Sequence, residues 1–285
     1  MRHSIVFTHR SWLVLLALSA LALTSLACGF EGGAFGSTPT PSSAGGLPAL
    51  SVSRPAPSGA AIDMTQGPLE AILITAPQPG QGARGSLQIE GLSDTAIAQQ
   101  LNVLVRDAQG TVIAAARPVV QPQSGQRSAF SVNMFLPPNL PRQTGQAQVY
   151  ASSPGNSVVT HLASVEVELG GDAKVAVPVD PQAREEIQIA SPSPDTAVND
   201  VVKVAAATQL GPKIVIEVRD ANNQIVGRVE QTVEPAADAP AQILTAVPIQ
   251  VSAAGPGRVL VYAVNARNGS TEHLNSVAVN LAPNQ

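Results

Sequence analysis

The chain has 285 residues, with 16 basic against 20 acidic side chains, a formal charge of −4, one cysteine and only 3% aromatic residues. An acidic chain lacks the basic face that displaces counterions from a phosphate backbone, which excludes nucleic acid as a partner. A single cysteine excludes any disulfide within the chain, and the length leaves room for more than one domain.

The first ten residues carry Arg2 and Arg10 and no acid, and Ser11 to Ala27 (SWLVLLALSALALTSLA) is uncharged and rich in Leu and Ala. That is a basic n-region followed by an h-region. It is shorter than the roughly 20 apolar residues of a spanning helix, and it ends in the small residues Ser25 and Ala27 that a signal peptidase accepts. Residues 1–27 are expected to be a signal peptide. Cys28 follows at once, and Ser25-Leu26-Ala27-Cys28 resembles the bacterial lipobox, in which leucine stands three places before the cysteine with small residues between. Here Ser25 takes the leucine position and Leu26 falls one place later. The resemblance implies that the Cys28 thiol becomes a thioether to diacylglycerol, so that the chain is moored to the extracytoplasmic face of the cell membrane by its lipid. Two or three acyl chains hold stably where one is marginal, each buried methylene contributing about 0.8 kcal/mol. An ordinary secreted protein with a spare thiol, or an uncleaved anchor helix, is the alternative. Cleavage before Cys28 would change the formal charge from −4 to −6, since Arg2 and Arg10 are lost.

Residues 28–68 are dense in Gly, Ser, Thr, Pro and Ala and cannot bury enough apolar surface to offset chain entropy, so a flexible tether is expected. About 40 such residues span roughly 35 Å as a coil and about 120 Å in polyproline form.

The rest is an internal repeat. LNVLVRDAQGTVIA (101–114) matches IVIEVRDANNQIVG (214–227) at an offset of 113, and GQAQVYASSPGNSVVTHLASVEVEL (145–169) matches GRVLVYAVNARNGSTEHLNSVAVNL (257–281) at 112. Ile72-x-Ile74-x-x-Pro77-x-Pro79 matches Ile187-x-Ile189-x-x-Pro192-x-Pro194 at 115. Offsets this constant define two domains, 69–169 and 186–282, joined by a linker at 170–185. Each copy reads as about seven short apolar or alternating segments between Pro, Gly, Asn and Asp, without a convincing amphipathic helix. The fold class expected is all-β, two tandem immunoglobulin-like β-sandwiches of Greek-key type. Asp107-Ala108-Gln109-Gly110 and Asp220-Ala221-Asn222-Asn223 fit hairpin turns. The second copy has no Phe or Trp, so its core is expected to be aliphatic with Tyr262 as its sole ring.

The order Ile-x-x-Pro-x-Pro, a Gly-bearing second strand, a strand ending in Arg-Asp with its hairpin, a Phe-bearing strand, Val-Tyr-Ala and a closing Val-x-Val strand resembles the immunoglobulin-like domain of bacterial spore germination proteins, Gmad2. The resemblance spans both copies and is stronger in the first. Gly91 looks like that family's second-strand glycine, and Ala206 stands near the equivalent place in the second copy. The resemblance implies an extracytoplasmic sandwich that works by contact rather than chemistry.

Several motifs have a plainer reading. Gly80-Gln81-Gly82-Ala83-Arg84-Gly85 spells GxGxxG, but a dinucleotide site needs a helix directly behind it, and SLQIEGL alternates like a strand. A loop is expected. His161 and His273 match in position, yet each copy has one histidine and no cysteine for a metal shell, so no metal site is expected. Glu185 and Glu186 read as solvated charge at the domain junction, and Asn268-Gly269-Ser270 as a turn before it reads as a glycosylation sequon. Tyr150 and Tyr262 each follow a glycine by five residues and are expected to bond back to a Greek-key corner. No nucleophile, base and oxyanion site coincide, so neither catalysis nor a cofactor is expected. The functional expectation is a lipid-anchored, non-catalytic interaction or scaffold protein of the bacterial cell envelope with an envelope protein as partner. A module binding cell-wall polymer or carbohydrate is the second reading, weakened by the shortage of aromatic rings.

Overall fold

The computed structural model describes residues 61–122, 127–172, 179–236 and 239–284. Nine strands form the first copy: β1 (Ile72–Ala76), β2 (Gln81–Ala83), β3 (Ser86–Ser93), β4 (Leu101–Arg106), β5 (Val112–Ala116), β6 (Val119–Gln121), β7 (Ser128–Phe135), β8 (Gln143–Ser152) and β9 (Val159–Leu169). Eight form the second: β10 (Ile187–Ser191), β11 (Thr196–Val198), β12 (Val201–Thr208), β13 (Lys213–Asp220), β14 (Ile225–Thr232), β15 (Ala241–Pro248), β16 (Gly255–Val264) and β17 (Thr271–Leu281). Among the described residues no helix is long and apolar enough to cross a membrane.

Period-two patterning decides which side of each strand is buried. In β3 the residues Leu87, Ile89, Gly91 and Ser93 turn inward while Ser86, Gln88 and Glu90 face solvent, and β12 repeats the pattern with Val202 and Val204 inside and Val201 and Lys203 outside. Each copy therefore needs a second sheet to cover its apolar face. In the first copy the sheet β1-β3-β7-β6 packs against strands β9, β8, β4 and β5; in the second, β10-β12-β15 packs against β14, β13, β16 and β17. The first strand of each copy changes sheets at a proline, which has no N–H to continue the ladder. After the cis peptides Ala76-Pro77 and Ser191-Pro192, β2 runs parallel to the end of β9 and β11 parallel to the end of β17. The result is the expected all-β, immunoglobulin-like double sandwich.

The first core is built on Ile72, Ile89, Val103, Val105, Val149 and Leu169, with Phe130 and Met134. The second is aliphatic throughout: Ile187, Val204, Ile214, Ile216, Ile243 and Val261 among others. Tyr262 is not part of it, contrary to the expectation from the sequence; it packs outside, between the copies.

Gly91 shows how the two cores diverged. It pairs with Ile74 and Phe130, and a Cβ there would overlap the Leu73 carbonyl oxygen and the Phe130 ring. The equivalent Ala206 pairs with Ile189 and Ile243, so the smaller Ile243 stands where the first copy has a phenyl ring. Gly91→Ala is therefore expected to cost about 2 kcal/mol through overpacking, whereas Ala206→Gly should cost no more than about 1 kcal/mol. Urea unfolding followed by far-ultraviolet circular dichroism measures both.

Candidate functional site

The large sheets of the two copies are continuous. Their order, β14-β13-β16-β17-β9-β8-β4-β5, runs across a seam at which Leu162 of β9 pairs with Leu274 of β17. These leucines are repeat equivalents, so the seam lies on a pseudo-twofold axis, and some of its contacts recur on both sides. The hairpins beyond the seam reach across reciprocally. Asn156 Nδ2 donates to the Ala221 carbonyl at 3.3 Å, and its equivalent Asn268 donates to the Ala108 carbonyl at 3.5 Å. Beneath them Val158, Leu162, Leu260 and Leu274 form a third apolar cluster, flanked by Tyr150, Val159 and Tyr262.

Both tyrosines thus serve the seam rather than a corner. Tyr262 Oη donates to Glu217 Oε1 at 2.7 Å, a side chain on the neighbouring strand β13, and burial together with that bond pushes the phenol well above its ordinary pKa. Two shallow concavities flank the axis, about 560 Å³ beside Arg106, Gln148 and Tyr150 and about 200 Å³ beside Glu217, Arg219 and Tyr262. Gln148 bridges the copies by donating from Nε2 to the Thr271 carbonyl at 2.6 Å.

Because side chains alternate along β17, Leu274 faces this cluster and its neighbour His273 faces the opposite side. There the chain does something the sequence reading did not anticipate. Residues 61–68, expected to belong to the tether, are packed against the second sandwich. Ile62 exchanges hydrogen bonds with the Gln242 side chain at 3.0 and 3.3 Å, Met64 is buried, and Gln188 Nε2 donates to the Met64 carbonyl at 2.8 Å. The chain then runs as a short ribbon beside 183–185: Glu70 N–H donates to Ala183 at 2.9 Å, and Glu185 N–H to Pro68 at 3.1 Å. This ribbon brings Glu70 and Glu185 side by side beneath His273.

Glu70, Glu185 and His273 are 5%, 3% and 4% exposed, so Glu185 is not the solvated charge expected from the sequence. His273 Nε2 lies 3.1 Å from Glu70 Oε1 and 3.6 Å from Glu185 Oε2, and Nδ1 lies 3.5 Å from Glu186 Oε2. The other carboxylate oxygens are held by the backbone: Glu185 Oε1 accepts from Ala71 N–H at 2.7 Å and Glu70 Oε2 from Glu186 N–H at 3.2 Å. Burial opposes a charge on His273, but the facing carboxylates of Glu70, Glu185 and Glu186 outweigh it and hold the imidazole well above the ordinary histidine pKa. Burial raises the Glu70 carboxyl, with His273 acting against it. The cluster borders a cavity of about 230 Å³ lined in part by Glu70, Ile74, Pro77, Val165, Glu186 and His273. His161, the repeat equivalent of His273, has no such company: its Nδ1 lies 3.3 Å from Thr160 Oγ1 and burial pushes its pKa down.

The remaining sequence motifs fall into place around the site. In the GxGxxG stretch, residues 81–83 are strand β2, Gly80 and Gly85 take positive φ, and no helix follows. Asn268-Gly269-Ser270 is a turn, with Gly269 at φ 73° and Ser270 N–H donating to Asn268 Oδ1 at 3.0 Å. Cys28, the signal peptide and residues 28–60 of the tether lie outside the described residues. Glu70 escaped the sequence reading, although it and Glu185 are separated by the same 115 residues as the Ile-x-Ile pairs they precede. Glu185→Ala would strip the buried Ala71 N–H of its acceptor and His273 of a counter-charge, at an expected cost of about 3 kcal/mol. The exposed Glu90→Ala should change stability by less than about 0.5 kcal/mol in the same urea titration.

Residues 71–157 match the family model for the immunoglobulin-like domain of bacterial spore germination, Gmad2. No curated protein matches the chain in sequence. Solved structures similar to it include the N-terminal Ig1-2 module of the Drosophila receptor protein tyrosine phosphatase DLAR, at 12% identity over 75% of this chain and 100% of that one with a TM-score of 0.20. Bovine butyrophilin is similar at 8% identity over 74% of this chain and 98% of that one, with a TM-score of 0.24. The two tandem V-type regions of VCBP3, a v-region-containing chitin binding protein, follow at 8% identity over 74% and 99%, with a TM-score of 0.29. Residues 71–157 therefore make up an immunoglobulin-like domain that matches the Gmad2 family.

Proposed function

We propose that this chain is a non-catalytic interaction or scaffold protein of the bacterial cell envelope, moored on the extracytoplasmic face by lipid on Cys28 and holding its double sandwich clear of the membrane on residues 28–60. An immunoglobulin-like sandwich has strand edges and loops that can receive a partner by strand addition. The observation that carries the reading is the open edge of the second sandwich. In the first copy β6 covers part of β7, but among the described residues β15 pairs only with β12, leaving one side of an eight-residue strand available for main-chain hydrogen bonds. Such an edge is a template for strand addition unless it is guarded.

A protein partner suits the surface better than a wall polymer. Sugar-binding faces stack on exposed rings, and of the four aromatic residues described, Phe130 is buried and Tyr150 and Tyr262 are engaged at the seam. Phe135, 80% exposed, stands alone.

Growing cells fed a radioactive fatty acid should label the protein, and Cys28→Ser should abolish both the label and membrane retention. Unlabelled protein of full precursor length in the cytosol would refute the reading. A photo-crosslinking residue at Leu244 on β15 should capture one envelope protein, whereas the same residue at the exposed Arg117 of the first copy should capture none. Retention on isolated wall polymer without a protein adduct would favour the second reading.

A further inference from the structure

The Glu70–Glu185–His273 cluster has a property that its hydrogen bonds do not exhaust: three atoms bearing lone pairs converge on one point. His273 Nε2, Glu70 Oε1 and Glu185 Oε2 face one another across distances of 3.1 and 3.6 Å from the nitrogen. One ligand atom from each of the three residues lies within 4.8 Å of the others. A positive centre has to sit between such atoms, and it is either a proton on Nε2 or a metal cation. We propose that this is a divalent transition-metal site, with Zn²⁺ the preferred occupant, which fastens the strap before β1, the segment before β10 and the last strand of the second sandwich to one another.

Four features favour the metal over the proton alone. The first is spacing: a tetrahedral ion with bonds of roughly 2.0–2.1 Å sets its ligand atoms about 3.3 Å apart, and the 3.1 and 3.6 Å from His273 Nε2 to the two carboxylate oxygens bracket that value, with all three atoms within 4.8 Å of one another. The second is the outer shell. Glu185 and Glu70 each have their other oxygen tied to a backbone N–H, and the His273 nitrogen turned away from the centre faces the Glu186 carboxylate at 3.5 Å. A histidine that ligates through one nitrogen and donates through the other to a carboxylate is the arrangement metal sites use to fix tautomer and ring orientation. The third is charge. Three carboxylates face one imidazole, so a single proton leaves the cluster net negative; Arg127 acts on Glu70 and Glu185 only through its field, while its Nη2 donates to the carbonyl oxygens of Glu70 and Leu92 and its Nε faces Asp94 at 3.7 Å. The fourth is access, since the 230 Å³ cavity reaches Glu70, Glu186 and His273 and leaves room for a water as fourth ligand. A set of one imidazole and two carboxylates suits a borderline ion, whereas Ca²⁺ seeks six to eight oxygens and Mg²⁺ near-ideal octahedral geometry. Binding is a plain exchange: the ion enters, the proton on Nε2 leaves to solvent, and no redox change occurs.

The test uses the full-length chain in detergent, with the leader histidines His3 and His9 replaced by alanine so that they cannot hold adventitious metal, and with no affinity tag. After removal of metal by chelator, Zn²⁺ is titrated calorimetrically and the bound metal is counted by elemental mass spectrometry. One Zn²⁺ per chain is expected, with a dissociation constant below about 1 µM and a rise in melting temperature. X-ray absorption should show a single imidazole in a shell of nitrogen and oxygen at roughly 2.0–2.1 Å. His273→Gln should abolish stoichiometric binding, and Glu186→Gln, which alters a half-exposed outer-shell group and keeps the fold, should weaken it by about tenfold or more. Failure of the folded parent chain to bind Zn²⁺, or binding that is unchanged in His273→Gln and Glu186→Gln, would overturn the proposal in favour of a protonated imidazole alone. Neither result bears on the fatty-acid labelling.

Discussion

A histidine and two glutamates, nearly free of solvent, are the constraint around which the two sandwiches are arranged. A buried carboxylate costs several kcal/mol in desolvation unless it is paired and hydrogen-bonded. Here no single domain supplies both requirements. Glu70 arrives from the strap before the first sandwich, Glu185 from the segment between the two, and His273 from the last strand of the second. Their hydrogen bonds are satisfied only when the ribbon of 68–70 and 183–185 is formed and β17 lies against β9. The cluster and the apolar seam share one strand: Leu274 packs on one side of β17 while its neighbour His273 is paired on the other.

The repeat explains why such a seam exists and also why it is not symmetric. Equivalent residues meet at the axis, Leu162 with Leu274, and equivalent asparagines, Asn156 and Asn268, cross to equivalent carbonyls. Away from the axis the copies have drifted in compensating pairs. Gly91 with Phe130 becomes Ala206 with Ile243, so volume removed from one side chain is returned on another, as a close-packed interior requires. His161 and His273 have drifted without compensation. One is a partly buried imidazole beside a threonine; the other is enclosed by three carboxylates. Of the two equivalent histidines, only His273 is enclosed by carboxylates.

What could be read from the chain was what local pattern dictates. Alternation in SLQIEGL marked a strand, and the near-constant offsets between matching segments marked two domains. The strap and the seam were not legible, because both depend on pairing between residues more than 100 positions apart. Ile62 and Met64 sit in a stretch whose composition is that of a linker, and only contact with Gln242 and Gln188 from the second sandwich orders it. Tyr262 was misplaced for a related reason: a ring was assigned to the core of its own domain, whereas it lies on the outer side of β16 and packs against the cluster between the copies. Glu70 left a trace that position alone supplies, a carboxylate two residues before the Ile-x-Ile signature in both copies.

For the proposed contact role, the consequence is geometric. Two immunoglobulin-like units fixed to each other present the open edge of β15 and the loops of both copies at set distances, whereas units on a free linker would not. Spin labels on Gln88→Cys and Lys203→Cys, exposed positions on the equivalent strands β3 and β12, in a Cys28→Ser chain, measure that directly by pulsed electron resonance. One narrow distance distribution is the result expected of a single rigid body; a broad distribution, as from two domains reorienting freely about 170–185, would contradict it.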